Sequence, residues 1–153
     1  MPTPVTFRQT APADLELLLT LIRDYYQYDA IPFDEATLRP ALSRFLNDST
    51  LGLAWLADVQ GQAAGYLIAT FSFDLEFGGR TLTVTDLYVQ ESYRRQGVGR
   101  AALAFLERVA PELGVVTLEL QAERHNEAAL TFYAALGFER HDRVPMSKRL
   151  SVR

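Results

Sequence analysis

A chain of 153 residues with 48% hydrophobic and 22% charged residues is long enough to bury a core without cross-links and too apolar to stay disordered, so one domain spanning residues 1–153 is expected. The absence of cysteine excludes a disulfide framework, a thiolate metal site and a covalent acyl-cysteine intermediate. The net charge of −4 argues against nucleic-acid binding, and it is unevenly placed: residues 1–79 hold four Arg against ten acids, residues 80–153 eleven Lys or Arg against nine.

A basic second half suits a small polyphosphate ligand. No apolar run approaches the roughly 18 residues of a membrane span and no basic-then-apolar leader is present, so a cytoplasmic protein is expected. Asn47-Asp48-Ser49 fits a glycosylation sequon but, without such a leader, is given no weight.

Residues 3–9 read as a strand. Thr10-Ala11-Pro12 then supplies a helix start with Thr10 as cap, and Leu15, Leu18, Leu19, Ile22 and Tyr26 carry a helix over 12–28. After Pro32, the acidic start Asp34-Glu35 and the spacing of Leu38, Ala41, Leu42 and Phe45 predict a second helix. Residues 51–58 and 63–73 are strand-like runs split by a turn at Asp58 to Gln62, and 81–89 makes a third strand after Gly78-Gly79. Val98, Ala101, Ala102, Phe105, Leu106 and Val109 define a helix running to Pro111. Residues 115–121 form a strand, Ala129, Phe132, Tyr133 and Leu136 a last helix with Gly137 at C′, and the tail from Phe138 to Leu150 is expected to supply one or two closing strands. The order is that of a mixed α/β domain with an antiparallel first half.

The loop Arg94-Arg95-Gln96-Gly97-Val98-Gly99-Arg100 enters a helix, where uncovered N–H groups and the helix dipole favour phosphate oxygens. Its arginines add full charges that can pair with a pyrophosphate. Gly97 to Ala102 also fits the dinucleotide fingerprint, with Glu119 twenty residues past Gly99. That reading is set aside: Gln90 to Gln96 separate strand from glycine, Glu119 falls inside a strand, and too little chain remains for a second mononucleotide half.

The same residues resemble the GNAT superfamily of N-acetyltransferases. Arg94 to Gly99 meets the pattern R/Q-x-x-G-x-G/A after the strand ending Asp86-Leu87-Tyr88-Val89. Asn126-Glu127-Ala128-Ala129-Leu130-Thr131-Phe132-Tyr133, closing on Leu136-Gly137-Phe138, resembles the family's second stretch, N-x-x-A-x-x-F/L-Y…L-G-F. The resemblance implies a mostly antiparallel twisted sheet, splayed between its fourth and fifth strands and flanked by helices. It implies acetyl-CoA as co-substrate, with pantetheine along the backbone of Leu87, Tyr88 and Val89 and the pyrophosphate at Arg94, Arg95, Gln96, Gly97, Val98, Gly99 and Arg100. It also implies Asn126 holding pantetheine or the chain around it, Tyr133 at the thioester sulfur, and the Val89 N–H polarising the carbonyl. A homodimer is one expectation from the family.

Transfer to an amine needs a proton acceptor and an acid for the leaving thiolate. Tyr133 is the expected acid. Asp86 is the first choice for base, on a strand face shared with Val84 and Tyr88, with Glu119 and Glu123 as alternatives. His125 and His141 are isolated, so no metal site is expected. Tyr25, Tyr26, Tyr28 and Asp29, with Asp34 and Glu35, form an aromatic and acidic cluster suited to a cationic amine, and Asp74 and Glu76 are candidates for the same rim. The expected acceptor is a primary amine on a small molecule or peptide. The competing reading is a non-catalytic acyl-CoA-binding or interaction module.

Overall fold

In the computed structural model, which describes residues 4–151, the alternating segments of the first half become a five-stranded sheet in chain order. The chain divides into two compact units, one ending at Gln121 and the other beginning at Ala122.

In the first unit, β1 (Thr6–Gln9), β2 (Gly52–Val59), β3 (Gln62–Asp74) and β4 (Gly79–Val89) are antiparallel neighbours, and β5 (Val115–Leu120) is parallel to β4. The turn between β2 and β3 is two residues long: Gln60 and Gly61 have φ of 53° and 80°, the left-handed pair whose twist matches a hairpin. Asp58 Oδ1 accepts from the Gly61 N–H at 2.8 Å and fixes that turn.

Helices cover both faces. On one lie α1 (Leu15–Tyr28) and α2 (Glu35–Leu46), whose Leu18, Leu19, Leu21, Ile22 and Leu42 pack with Ala54, Leu56, Tyr66 and Tyr88. On the other lies α3 (Val98–Val109), where Phe105 stacks on Phe7 at 4.8 Å and meets Trp55 edge-on at 5.5 Å. Every β1 to β5 element foreseen from the period is present, with boundaries moved by a few residues. No helix among the described residues is long and apolar enough to cross a membrane.

Three expectations are corrected. Residue 3 lies outside the described residues, and the first strand begins at Thr6. Thr10 is not a helix cap: its N–H and hydroxyl both donate to Ala54 O, at 2.9 and 3.0 Å, extending the β1–β2 edge. A short 3-10 turn (Pro12–Asp14) follows, and Asp14 Oδ2 accepts the Ala11 N–H at 2.8 Å while its two carboxylate oxygens bind Arg8 at 2.9 and 3.0 Å.

The third correction falls in the second unit. Its helix α4 (Glu127–Ala135) is present, but no strand forms among the described residues 138–151. Glu139-Arg140-His141-Asp142-Arg143 offers no apolar alternation, and Pro145 lacks the N–H a ladder needs. Val144, Met146 and Leu150 stand exposed.

Candidate active site

The ladder between β4 and β5 runs from Arg80–Val115 to Val84–Leu120 and stops there, because β5 ends at Leu120 while β4 continues to Val89. This is the splay expected between the fourth and fifth strands. Beyond it the antiparallel alternation decides which way the backbone points. Gln90 N–H bonds Ala64 O at 2.8 Å, so Tyr88 and Tyr66 also form a hydrogen-bonded pair, whereas Leu87 and Val89 face Leu67 and Gly65 as non-hydrogen-bonded pairs. The N–H and C=O groups of Leu87 and Val89 therefore point away from β3, toward the side where β5 has ended. Apart from Val89 O, which Arg94 holds, those are backbone groups that an extended ligand segment can pair with.

The helix following this strand starts at Gly97, in the left-handed region at φ 80°, with no side chain bonded across its N-terminus. The N–H groups of Val98, Gly99 and Arg100 precede the first intrahelical bond, from Ala101 to Gly97 O at 2.9 Å, and are oriented for oxyanions. A Cβ built on Gly99 meets no atom within 4 Å. Arg95 holds φ 62°, a left-handed strain for a side-chain-bearing residue of the kind found at ligand-binding loops. These groups suit a diphosphate.

Arg94, expected among the phosphate ligands, is also held within the fold. Its Nε donates to Val89 O at 2.9 Å, and its guanidinium lies over the Tyr28 ring at 4.0 Å and 5.8 Å from the Tyr88 ring. It ties the end of α1 to the end of β4. Gln96 Nε2 donates to Ser92 O at 3.2 Å.

Asp86 occupies the face of α1 and α2 with Tyr88, as expected, but not with Val84. Ile68 pairs with Asp86 and Ala69 with Val84, so Thr85 is an extra residue, a β-bulge. Paired residues share a face, so Val84 goes with Ala69 to the α3 side and Asp86 with Ile68 to the α1 side. Period-two counting across the bulge gave the wrong neighbour.

Tyr66 is a residue of the candidate site that sequence reading missed. Its hydroxyl donates to Asp86 Oδ2 at 2.8 Å, and the residue is 1% exposed. The available signal was a lone tyrosine inside an otherwise apolar strand, whose buried hydroxyl required an acceptor. Burial pushes the Asp86 carboxyl above the usual aspartate range, with the Tyr66 and Thr85 hydroxyls pulling it back. Tyr66 itself is raised by burial and then by the Asp86 charge and hydrogen bond, so it stays a proton donor in that bond.

Tyr25 closes over this pair, with ring centroids 5.6 Å from Tyr88 and 6.4 Å from Tyr66, and burial followed by the Asp86 and Asp29 charges pushes its phenol up to about 12. Tyr26 meets Tyr25 at 5.7 Å and Phe33 at 6.0 Å. Of the expected acceptor cluster, Tyr25 and Tyr26 thus join Asp86, Asp29 interacts with Tyr25, and Tyr28 is 65% exposed under Arg94. Asp34 instead caps α2, accepting from Ala36 N–H at 3.1 Å and the Thr37 hydroxyl at 2.8 Å. Glu35 pairs with Arg23 at 2.8 Å and Arg39 at 3.5 Å. Asp74 accepts from Glu76 N–H at 2.8 Å in the turn before β4. Glu119 stands opposite Thr83 in the β4–β5 ladder.

In the second unit, Asn126 Oδ1 caps α4 by accepting from Ala129 N–H at 3.1 Å. The helix ends on Gly137 at φ 97°, with Gly137 N–H on Ala134 O at 3.0 Å and Phe138 N–H on Tyr133 O at 3.1 Å. This paired closure brings Phe138 against the Tyr133 ring at 5.9 Å, so Leu136-Gly137-Phe138 fixes the tyrosine from below. Burial raises the Tyr133 phenol, which therefore carries its proton at neutral pH. Glu123 and His125 are exposed ahead of the helix.

Comparison with known proteins agrees with this geometry. The family model described as "Acetyltransferase (GNAT) family" matches residues 15–138. The thialysine N-epsilon-acetyltransferase of Bos taurus is 28% identical over 145 residues, covering 87% of this chain and 83% of that protein. The ribosomal protein bS18-alanine N-acetyltransferase of Escherichia coli (strain K12) is 41% identical over 56 residues, covering 37% of this chain and 38% of that protein. A crystal structure of a possible acetyltransferase from Clostridium difficile 630 superposes with a TM-score of 0.85 at 17% identity, covering 97% of this chain and 99% of that one, which supports the fold. With a matched span that holds both the Arg94 loop and the Tyr133 helix, this chain belongs to the GNAT family of acetyltransferases.

Proposed function

We propose that the chain is a single-domain N-acetyltransferase that moves the acetyl group of acetyl-CoA directly to a primary amine. The observation that carries this reading is the strip of backbone turned away from β3, the Leu87 N–H and C=O and the Val89 N–H, leading into the uncapped N-terminus of α3 and lying beside the half-buried Asp86. Acetyl-CoA supplies an acetyl thioester. Leu87 and Val89 pair with its pantetheine arm, and Val98, Gly99 and Arg100 N–H groups with Arg95 hold the pyrophosphate. Val89 N–H donates to the thioester carbonyl.

The amine nitrogen forms the new bond to the acetyl carbon as the carbon–sulfur bond breaks. Asp86 receives the proton that the amine loses, directly or through one water. The second motif gives Tyr133 the role of proton donor to the departing thiolate, and its buried phenol carries the proton for that role at neutral pH. With no cysteine in the chain, transfer proceeds without an acyl-cysteine intermediate. The acceptor enters as a cation among Tyr25, Tyr28 and Asp29 and sheds its ammonium proton to solvent, so that the neutral amine attacks and passes its second proton to Asp86. The two relatives bear names for a side-chain amine and for an alanine, and the acceptor class here, a small cationic amine, an amino acid or a protein amine, is drawn from that range. A cytoplasmic location goes with this reading.

The test is thiol release from acetyl-CoA with a panel of primary amines. Asp86→Asn is expected to lower kcat/KM by about 10²–10³ and Tyr133→Phe by about 10–10². Tight acetyl-CoA binding without thiol release from any amine would instead mark a binding module.

A further inference from the structure

The pairing of Tyr66 with Asp86 is not explained by packing alone. Tyr66 and Asp86 come from different strands and are diagonal neighbours on one face, because Tyr66 pairs with Tyr88 and Ile68 with Asp86. Regular alternation with Tyr88 puts Asp86 on this face, and the bulge at Thr85 turns Val84 to the other. A buried tyrosine needs some acceptor for its hydroxyl, and any backbone carbonyl would serve. Here the acceptor is a carboxylate that borders the aromatic wall of α1.

We infer that Tyr66 is a positioning residue for the transfer: its hydroxyl holds Asp86 by Oδ2 and presents Oδ1 to the incoming amine. This rests on the reading of Asp86 as the base. The proton released as the carbon–nitrogen bond forms goes to Oδ1, while the Tyr66 proton stays on its phenol.

The groups facing Asp86 are few. Tyr25 and Tyr26 come from α1, with Asp29 acting on Tyr25; Tyr66 comes from β3; Thr85 and Tyr88 lie on its own strand; α2 and β2 bring Leu42, Ala54 and Leu56 to the same cluster. Tyr25 is pushed up to about 12 and Tyr26 and Tyr66 are also raised, so the phenols are neutral wherever Asp86 titrates. The Tyr66 hydroxyl lowers the Asp86 pKa against the burial that raises it. Removing that hydroxyl must move the carboxyl to higher pH.

The experiment is the pH profile of kcat/KM in the full chain with acetyl-CoA and a primary amine. Tyr66→Phe, which keeps the ring, is expected to move the acidic limb up by about one pH unit, a loss of about tenfold below the limb with recovery on the alkaline side. Replacing Tyr66 with 3-fluorotyrosine, a stronger donor of nearly the same volume, is expected to move the limb down and guards against a misfolded phenylalanine variant. A fall in rate of equal size at every pH, or an unmoved limb in both variants while Asp86→Asn is inactive, overturns the role of Tyr66 alone. An active Asp86→Asn enzyme with its acidic limb intact overturns the reading of Asp86 beneath it.

Discussion

Asp86 is costly to the fold because burial holds its carboxyl above its unfolded value. A group with that shift favours the folded state most when protonated, and the advantage is lost as pH rises through the folded pKa. Asp86→Asn removes the charge while its amide oxygen can still accept from Tyr66. It is therefore expected to raise Tm at neutral pH while lowering activity, and the gain should vanish below the ordinary aspartate range, where both states of the wild type are neutral. Thermal melts of the two proteins across pH check this, and a gain independent of pH would assign it to packing. Arg94 works at the same scale in a different manner. With its Nε on Val89 O and its plane on Tyr28, it anchors the residue whose N–H is assigned to the thioester carbonyl.

At the scale of elements, the entry to α3 carries the cofactor argument. Gly99 lies in ordinary helical backbone with open space at its Cβ, so Gly99→Asp fits the fold and even suits the first turn through the dipole. Its carboxylate would stand where the pyrophosphate is proposed. Acetyl-CoA affinity is expected to fall by about 100-fold, or roughly 2.7 kcal/mol, by calorimetry, with Tm held or raised. The cap of α2 gives a purely structural counterpart: Asp34→Ala loses the bonds to Ala36 and Thr37 and is expected to cost about 1 kcal/mol, or about 2–4 °C in Tm. Periodicity revealed these helices and strands because their apolar faces are regular, and two motifs pointed to the loop and to α4. What it missed depends on pairing rather than spacing. The extra residue Thr85 is visible only against Ile68 and Ala69, and the partner of Tyr66 only across strands. Thr10 read as a cap because its type suits one, yet Ala54 O claimed both of its donors. The tail from Phe138 contains scattered apolar residues that suggest strands, but five polar residues and Pro145 interrupt them.

For the whole molecule, the charge division by sequence matches the site in part: the acidic first half supplies Tyr25, Tyr26, Tyr28 and Asp29, and the basic second half supplies Asp86 and the loop at Arg94 to Arg100. If the pyrophosphate is held there, KM for acetyl-CoA should rise severalfold as ionic strength goes from about 0.05 to 0.2 M, since screening weakens exposed charge pairs. A flat response would place the phosphates on backbone N–H groups alone. The core under α1 sets the stability against which such changes are read: Leu18 is 0% exposed, and Leu18→Ala is expected to cost about 2–5 kcal/mol by chemical denaturation. The bulge in β4 has a consequence of another kind. It acts as a frameshift within the strand, so even-numbered positions before it face the α3 layer and even-numbered positions after it face the α1 layer. Deleting Thr85 would close the bulge and leave Val84 opposite Ala69 and Asp86 opposite Ile68, so Asp86 is expected to keep its bond to Tyr66, and thiol release should persist in the deletion variant. The carboxylate proposed for this surface is thus placed by its pairing with Ile68, while the extra residue sets which way the earlier half of the strand presents its side chains.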